Sequence, residues 1–371
     1  MFNTRFWKNF DWILFGAMIL LLGMGLMIIY ASSFKATELI SLNGLYRQSI
    51  FAGIGLVAFF IMAKVDYRTW YKLASGWYGL TILFLIIVLL TSKAVLGAQR
   101  WIDFGFFQFQ PSEFAKLALI IVLAKFFAVN YDQMHRFKFL MLSLVYLLIP
   151  ALLVMRQPDL GTALVMIAIW SAMALTSRVR KAHLLGLAAV LLAAMPFILE
   201  NLKDYQKNRL TAFLNPQADP LGIGHNVIQS TITVGSGQLF GRGLASGSQT
   251  QLDFLPSLAQ QTDFIFAALN EKLGFVGGTL MIALFGVILI RGLMIARMAQ
   301  DRFGMFIAVG LAGMMLFHVF INAGMNMGIA PVTGIPLPFV SYGGTALIIS
   351  MACMGLLESV AVRRKKLQFE G

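Results

Sequence analysis

The feature that most constrains this chain is a series of apolar stretches, each long enough to cross the hydrocarbon core of a bilayer. A helix needs about 20 apolar residues to span about 30 Å of hydrocarbon, and stretches of this kind recur along the sequence from Trp12 onwards. Of the 371 residues, 59% are hydrophobic and only 12% are charged, whereas a soluble domain has about 25% charged residues. The sequence therefore predicts an all-α, polytopic membrane protein.

The spans are predicted to be joined mostly by short connections. Two connections are longer: a Gly-, Gln- and aromatic-rich link over 93–111, and an outer loop over 200–262 between the seventh and eighth spans. The outer loop has too many apolar residues for a solvated tether, which favours an ordered segment with short amphipathic helices over a flexible linker. The whole chain, 1–371, is expected to form a single transmembrane domain. The ten predicted spans are 11–31, 48–64, 73–92, 112–130, 138–155, 160–177, 182–199, 263–290, 303–325 and 343–362.

The net charge of +13 orients the chain in a membrane and does not indicate a nucleic-acid partner. Lys and Arg are concentrated in the connections that ten spans place on one face, for example Arg178, Arg180 and Lys181. Cytoplasmic connections carry such an excess, so both termini are expected in the cytoplasm and the outer loop outside the cell. The basic residues then meet anionic membrane lipid.

One carboxylate stands where the outer loop gives way to the eighth span. Asp263 follows Thr262 and precedes an apolar helix. An ionisable group at the rim of a membrane helix costs energy unless it has a partner or a function. Because the outer loop could cover a substrate there, Asp263 is the leading candidate for a chemical step.

A second group of charges lies near the start of the fourth span. Pro111 suits the first turn of a helix, which places Glu113 and Lys116, three residues apart, on one face. They are either a local ion pair that neutralises two charges or part of a cavity for a charged ligand. Arg100 favours the cavity, because a guanidinium suits bidentate contact with phosphate.

Two further segments start helices at the outer face. Asp159 follows Pro158 and is well placed to cap the sixth span, although a role toward a ligand or cation stays open. The turn over 334–344 contains Ser341, a candidate substrate-binding residue, because backbone N–H groups at a helix N-terminus can hold an anion. A plain re-entrant turn explains the same prolines and glycines.

A polar stripe follows the ninth span, where His318, Asn322 and Asn326 are spaced by four residues. Such stripes usually form hydrogen bonds between membrane helices, and packing is the favoured interpretation. The sequence has neither the paired Cys and His spacing of a zinc site nor the glycine motif of a nucleotide site. Cys353 is the only cysteine, so no internal disulfide can form.

Together, these motifs resemble the SEDS family (shape, elongation, division and sporulation). They follow the family order over nearly the whole chain, and the short N-terminus resembles the rod-shape branch. The family usually has Pro-Glu-x-His-Thr-Asp before the eighth span, whereas the segment 256–263 is two residues longer and lacks that Glu and His. The matching segments are Gly97-Ala98-Gln99-Arg100-Trp101, Gln110-Pro111-Ser112-Glu113-Phe114-Ala115-Lys116, Gln157-Pro158-Asp159-Leu160-Gly161-Thr162, Gly235-Ser236-Gly237, Thr262-Asp263-Phe264-Ile265-Phe266-Ala267 and Pro338-Phe339-Val340-Ser341-Tyr342-Gly343-Gly344.

The resemblance implies a peptidoglycan glycosyltransferase that polymerises lipid II for cell elongation and rod shape, at the outer face of the bacterial cytoplasmic (inner) membrane. It places Asp263 on the family's essential aspartate, and it places Arg100, Glu113, Lys116 and Asp159 on polar positions of the central cavity. The implied partners are a class B penicillin-binding protein, which supplies the transpeptidase, and other membrane proteins of the elongation complex.

The expected mechanism makes Asp263 the general base for the acceptor hydroxyl. Arg100 and Lys116 would hold the pyrophosphate, with Glu113 orienting Lys116. A divalent cation (Mg or Mn) could bridge phosphate oxygens to Asp159 or Asp263, but no ligand cluster requires it. The alternatives are a lipid II flippase, a non-catalytic scaffold, and a division or sporulation member of the same family.

Overall fold

A computed structural model describes residues 4–33, 42–91, 100–103, 105, 108–200, 202–218, 222–252, 254 and 257–364 of the chain. Four positions of the motifs noted above, Gly97, Ala98, Gln99 and Pro256, lie outside the described residues.

Ten long helices occupy the positions of the ten predicted spans, which confirms the all-α fold class. The largest differences in their limits are an earlier start of the second and third spans and a later end of the eighth. Five shorter α-helices, two 3-10 helices (Tyr131–Gln133 and Pro216–Ala218) and one two-stranded hairpin complete the described elements. The elements are α1 (Thr4–Asn9), α2 (Trp12–Ala31), α3 (Asn43–Lys64), α4 (Tyr67–Thr91), β1 (Ile102–Asp103), β2 (Gln108–Phe109), α5 (Pro111–Val129), α6 (Phe137–Arg156), α7 (Leu160–Thr176), α8 (Lys181–Glu200), α9 (Asp204–Leu214), α10 (Ile223–Ser236), α11 (Ser248–Gln251), α12 (Ser257–Gln261), α13 (Ile265–Met298), α14 (Arg302–Asn326) and α15 (Gly344–Val362).

Length and hydropathy identify a multi-pass membrane protein. Seven of these helices, α2, α3, α4, α6, α13, α14 and α15, are long and apolar enough to cross a membrane. Two others, α7 and α8, are apolar but shorter in their apolar part. The remaining long helix, α5, carries three charged residues along its length, two of which belong to the site described below.

Local sequence explains where several helices begin. The carboxylates of Asp11, Asp159 and Asp301 accept hydrogen bonds from backbone N–H groups in the first turns of α2, α7 and α14. Such caps satisfy donors that the helix itself leaves free. Pro111 occupies the first turn of α5, as predicted, because its missing N–H costs nothing there.

The outer loop is ordered over its described part, as predicted. It contains α9, α10, α11 and α12, and α10 packs against α13 and α14 through contacts such as Ser230 with Asn326, where the hydroxyl donates to the side-chain oxygen at 3.0 Å. The hairpin β1–β2, which the sequence did not suggest, pairs Ile102 with Phe109 just before α5. Both segments therefore come to the same end of the bundle as Asp263.

The eighth span is not the single continuous helix that the sequence suggested. Gly274 has a φ of 69° and a ψ of −168° inside α13, a conformation that glycine adopts without the steric cost of a Cβ. It divides α13 into an outer part over 265–273 and an inner part over 275–298. The outer part begins directly after Asp263.

The core of the bundle surrounds α15, the last helix. In its most apolar 18-residue stretch, 83% of the residues are buried, against 50% for α2 and 56% for α14. At the end of the bundle opposite Asp263, the backbone N–H of Asp11 donates to Glu358 Oε1 at 2.8 Å. Arg291 Nε donates to Asp11 Oδ2 at 2.9 Å. These contacts join α2, α13 and α15.

Candidate active site

Asp263 lies between α12 and α13, and its backbone carbonyl is fixed by the polar stripe of α14. Asn322 Nδ2 and Asn326 Nδ2 each donate to Asp263 O at 3.1 Å. Asn326 Oδ1 accepts from the backbone N–H of Ala267 at 3.2 Å. The prediction that this stripe forms hydrogen bonds between helices is confirmed, and its main partner is the backbone that carries the candidate base.

Arg209, on α9 of the outer loop, is the positive charge with the largest effect on the carboxylate of Asp263. A Cβ built on Gly334 would lie 3.6 Å from Asp263 Oδ2 and 4.0 Å from Arg209 Nη2, so both groups face the space beside that glycine. Arg209 Nη1 donates to Thr333 O at 2.9 Å. The segment 333–334 thus sets the guanidinium beside the carboxylate.

For each group of this pair, burial and the charge of the partner shift the pKa in opposite directions. Burial raises the pKa of the Asp263 carboxyl, while the positive charges of Arg209 and Arg100 lower it and the negative charge of Asp159 raises it. Burial also lowers the pKa of Arg209, and nearby Arg100 lowers it further, while Asp263 raises it. The site therefore brings two cations and two carboxylates into mutual range.

Arg100 and Asp159 form the opposite side of the group. Arg100 Nη1 lies 3.9 Å from Asp159 Oδ1, and the guanidinium also donates to the backbone oxygens of Gln157 and Pro158. Asp159 Oδ1 accepts from Thr162 N at 3.2 Å, and Asp159 Oδ2 accepts from Thr162 Oγ1 at 2.9 Å. Asp159 thus caps α7, as predicted, and orients Arg100 at the same time.

Glu113 and Lys116 form a separate, deeper cluster with His318. Lys116 Nζ lies 2.8 Å from Glu113 Oε1 and 3.3 Å from His318 Nε2, and all three residues are buried. His318 Nδ1 lies 2.9 Å from Pro336 O. Because that carbonyl only accepts, Nδ1 carries the proton, and Nε2 accepts from the ammonium.

A small cavity connects this cluster to the turn that precedes α15. It has a volume of about 10 Å³ and is lined by residues that include Glu113, His318, Pro336, Ser341 and Ser350. That space suits one water molecule. Glu113 and Lys116 therefore form the local ion pair of the first interpretation, and the second, a cavity for a charged ligand, stays a prediction.

Ser341 is engaged by the protein itself. Its hydroxyl donates to Thr262 O at 2.7 Å and accepts from Leu337 N at 2.8 Å. Gln48 on α3 donates from Nε2 to Ser341 O at 3.1 Å and accepts at Oε1 from Gly343 N at 3.2 Å. The turn over 337–343 is thereby joined to the residue next to Asp263.

Sequence analysis missed three residues of this site. Arg209 and Tyr205 lie on α9, where the outer loop also carries Lys203 and Lys207, and nothing in the sequence separates Arg209 from them. Burial raises the pKa of the Tyr205 hydroxyl, and the charges of Arg209, Arg100 and Asp159 also act on it. Gln48 stands between Arg47 and Ser49 at the first position of the second predicted span, so its amide was not marked as an intramembrane group.

Comparison with known proteins places the chain in one family. The family model for FtsW, RodA and SpoVE, described as a cell cycle protein, matches residues 11–366. The peptidoglycan glycosyltransferase MrdB of Escherichia coli K12 is 43% identical over 317 residues, which cover 85% of this chain and 84% of MrdB.

Two solved structures share the fold. One is a chain of a peptidoglycan synthase complex that coordinates polymerization and crosslinking; it has a TM-score of 0.81 and 31% identity, and covers 96% of this chain and 99% of its own. The other, the rod shape determining protein RodA of Thermus thermophilus, has a TM-score of 0.71 and 29% identity over 96% of this chain and 98% of its own. The family match, the identity to MrdB and the shared fold agree with the resemblance drawn from the motifs, and the chain belongs to the FtsW/RodA/SpoVE family.

Proposed function

We propose that this protein is a peptidoglycan glycosyltransferase that polymerises lipid II into glycan strands for cell elongation and rod shape. The observation that carries the proposal is the carboxylate of Asp263, set beside the guanidinium of Arg209 and within electrostatic range of Arg100 at one end of a membrane bundle. A base beside a cluster of cations is what transfer from a pyrophosphate-linked sugar requires. The name of the related MrdB supports the same activity.

In this proposal, Asp263 is the general base. The 4-hydroxyl oxygen of the acceptor sugar forms a bond to the anomeric carbon of the donor, the bond from that carbon to the lipid pyrophosphate breaks, and the hydroxyl proton passes to Asp263. Burial raises the pKa of the carboxyl and makes it a stronger base, while Arg209 and Arg100 favour its ionised form. The backbone contacts from Asn322 and Asn326 keep it in place.

Arg100 and Arg209 are the proposed partners of the departing pyrophosphate. Both carry guanidinium groups, which suit phosphate oxygens, and Asp159 orients Arg100. Glu113, Lys116 and Ser341 stay in the proposal, but in a supporting role, because the cavity that Glu113 and Ser341 line has room for one water. Ser341 joins the turn over 336–341 to Thr262, and His318, which contacts Lys116, binds Pro336 of the same turn.

A divalent cation, Mg²⁺ or Mn²⁺, also stays a proposal. Among the described residues, no group of three or more His, Cys, Asp or Glu side chains could hold a metal ion. Asp159 and Asp263 suit an ion that takes most of its ligands from substrate phosphates and water, as Mg²⁺ often does. Such an ion would neutralise charge on the leaving pyrophosphate.

The proposed setting is the bacterial cytoplasmic membrane, with both termini in the cytoplasm and Asp263 at the outer face. Two observations support it: the excess of Lys and Arg in the connections far from Asp263, and the outer loop that folds beside the carboxylate. The related chain within a peptidoglycan synthase complex supports a class B penicillin-binding protein as the partner, together with other elongation proteins.

The test is glycan formation from fluorescent lipid II by purified protein in detergent, with and without the transpeptidase partner. Asp263→Asn is expected to keep the fold and to lower the rate by about 10²–10⁴-fold, the usual effect of losing a general base. Asp204→Asn, the same change at an exposed carboxylate of the outer loop, is the matched control, expected to act like wild type. A micelle has no sides, so polymer there distinguishes the enzyme from a flippase, and an Asp263→Asn variant with full activity would contradict the role of the base.

A further inference from the structure

The break in α13 is completed by the outer loop, which makes hydrogen bonds on both sides of Gly274. Phe275 N donates to Gln238 O at 2.8 Å, and Val276 N donates to Leu239 O at 3.1 Å. The loop also donates to the helix, because Arg242 N donates to Glu271 O at 2.9 Å. The backbone groups that the break removes from the helix ladder thus find partners in the loop.

The loop and the helix approach too closely for side chains at the crossing. A Cβ on Gly237 would lie 1.8 Å from Asn270 O, and a Cβ on Gly241 would lie 2.2 Å from Lys272 O. Both distances are far below any allowed contact, so glycine is required at both positions. The helix break is a fixed joint between the outer loop and the outer part of α13.

Glu271, one turn before the break, is a buried carboxylate outside the proposed catalytic group. Its side chain is 0% exposed. Oε1 accepts from Gln249 N at 2.9 Å, and Oε2 accepts from Thr250 N at 3.1 Å. A buried charge is tolerated only with such partners, and these hydrogen bonds to a carboxylate are among the stronger kinds.

From Glu271 the contacts lead back to Asp263 by a second route. Thr250 O accepts from Gln260 Nε2 at 3.4 Å, and Gln260 belongs to α12, three residues before Asp263. Asp263 is therefore held from two directions: through the outer part of α13, which carries Glu271, and through α11, which Glu271 binds, and α12, which binds α11 through Gln260. The carboxylate of Glu271 joins these two routes.

We infer that Glu271 is a positioning residue for the glycosyl transfer, which sets the place of Asp263 by binding the backbone of Gln249 and Thr250. The inference rests on the proposed function for its kinetic part. In this proposal Glu271 does not touch substrate; it fixes Gln249 and Thr250 and, through Gln260, the residues 257–263 that carry the base. A misplacement of about 1 Å can cost about 10²-fold in rate, so loss of this contact has a measurable effect.

The first variant is Glu271→Gln, which keeps the size of the side chain but replaces one of the two accepting oxygens with an NH2 group, which donates and cannot accept. We expect kcat for fluorescent lipid II to fall at least about tenfold, with KM changed less than about twofold. We also expect faster amide hydrogen exchange at 249–250 and at 260–263. Asp204→Asn, the same carboxylate-to-amide change at an exposed residue of the outer loop, is the control and should change neither quantity.

Gln260→Met is the second variant, in case Glu271→Gln does not fold. It removes the hydrogen bond from Gln260 to Thr250 O and should reproduce the fall in kcat and the faster exchange at 260–263. Unchanged kcat, or a lower kcat with unchanged exchange at 260–263, would overturn the inference. If wild-type protein makes no glycan, the proposed function fails by itself, and the exchange measurement still decides whether Glu271 fixes this segment.

Discussion

Replacing Asn326 with Leu tests whether α14 holds the start of α13. The Ala267 N–H belongs to the first turn of α13, where no helical carbonyl is available, and Asn326 Oδ1 is its acceptor at 3.2 Å. Asn326 is 0% exposed, and Leu fills a similar volume, so the variant removes hydrogen bonds without opening a large cavity. One buried N–H loses its partner, and Asp263 O loses one of its two donors.

The expected cost is about 1–3 kcal/mol for the orphaned N–H and about 1 kcal/mol for the weakened carbonyl contact. Together these amount to roughly 2–4 kcal/mol, or a fall in Tm of roughly 4–8 °C at about 2 °C per kcal/mol for a large domain. The assay is thermal unfolding of the purified protein in one detergent, followed by tryptophan fluorescence.

Phe320→Leu is the control on the same helix, because Phe320 is 63% exposed and its replacement should move Tm by about 1 °C or less. If Asn326→Leu unfolds at the same temperature as Phe320→Leu, the hydrogen bonds of Asn326 do not hold the start of α13, and the reasoning is refuted.

Two further predictions concern the space beside Asp263. Arg209→Gln removes a positive charge that lowers the pKa of Asp263, so this pKa rises further; because the base must be ionised, the acid limb of kcat/KM should move to higher pH, and an unmoved limb would show that Arg209 does not act on the base. Gly334→Ala places a methyl group against Asp263 and Arg209 and should lower kcat/KM by about 10²-fold. Gly328→Ala, at nearly the same φ (73° against 72°), controls for backbone strain, and equal losses in both variants would remove the steric explanation.

Sequence periodicity and composition were sufficient for the positions of the ten long helices, because each apolar stretch is set by the thickness of a bilayer. They also placed Asp263, Arg100 and Asp159 at one end of the bundle, since Asp159 and Asp263 stand at junctions between a connection and a span and Arg100 lies in the connection over 93–111 on the same face. The caps at Asp159 and Pro111 followed from local rules that act within one turn.

What sequence reasoning could not supply depends on contacts between distant segments. Arg209 reaches the site because α9 packs over the turn at 333–334, and no pattern within α9 encodes that approach. The break at Gly274 was equally hidden, because Gly277 and Gly278 follow in the same span without breaking the helix. Which glycine breaks the helix is decided by the partner loop at 237–243, about thirty residues away.

The central place of α15 has a consequence for how the protein is made. Among the described residues, the amide of Gln48 on α3 has its hydrogen-bond partners at Ser341 and Gly343, and Asp11 N has its partner on Glu358. During synthesis Asp11 and Gln48 enter the membrane long before the residues that satisfy them have been made. A chain that stops before α15 therefore keeps unpaired polar groups facing the space that α15 fills. Insertion of α15, and not of any earlier helix, is the event that completes the bundle.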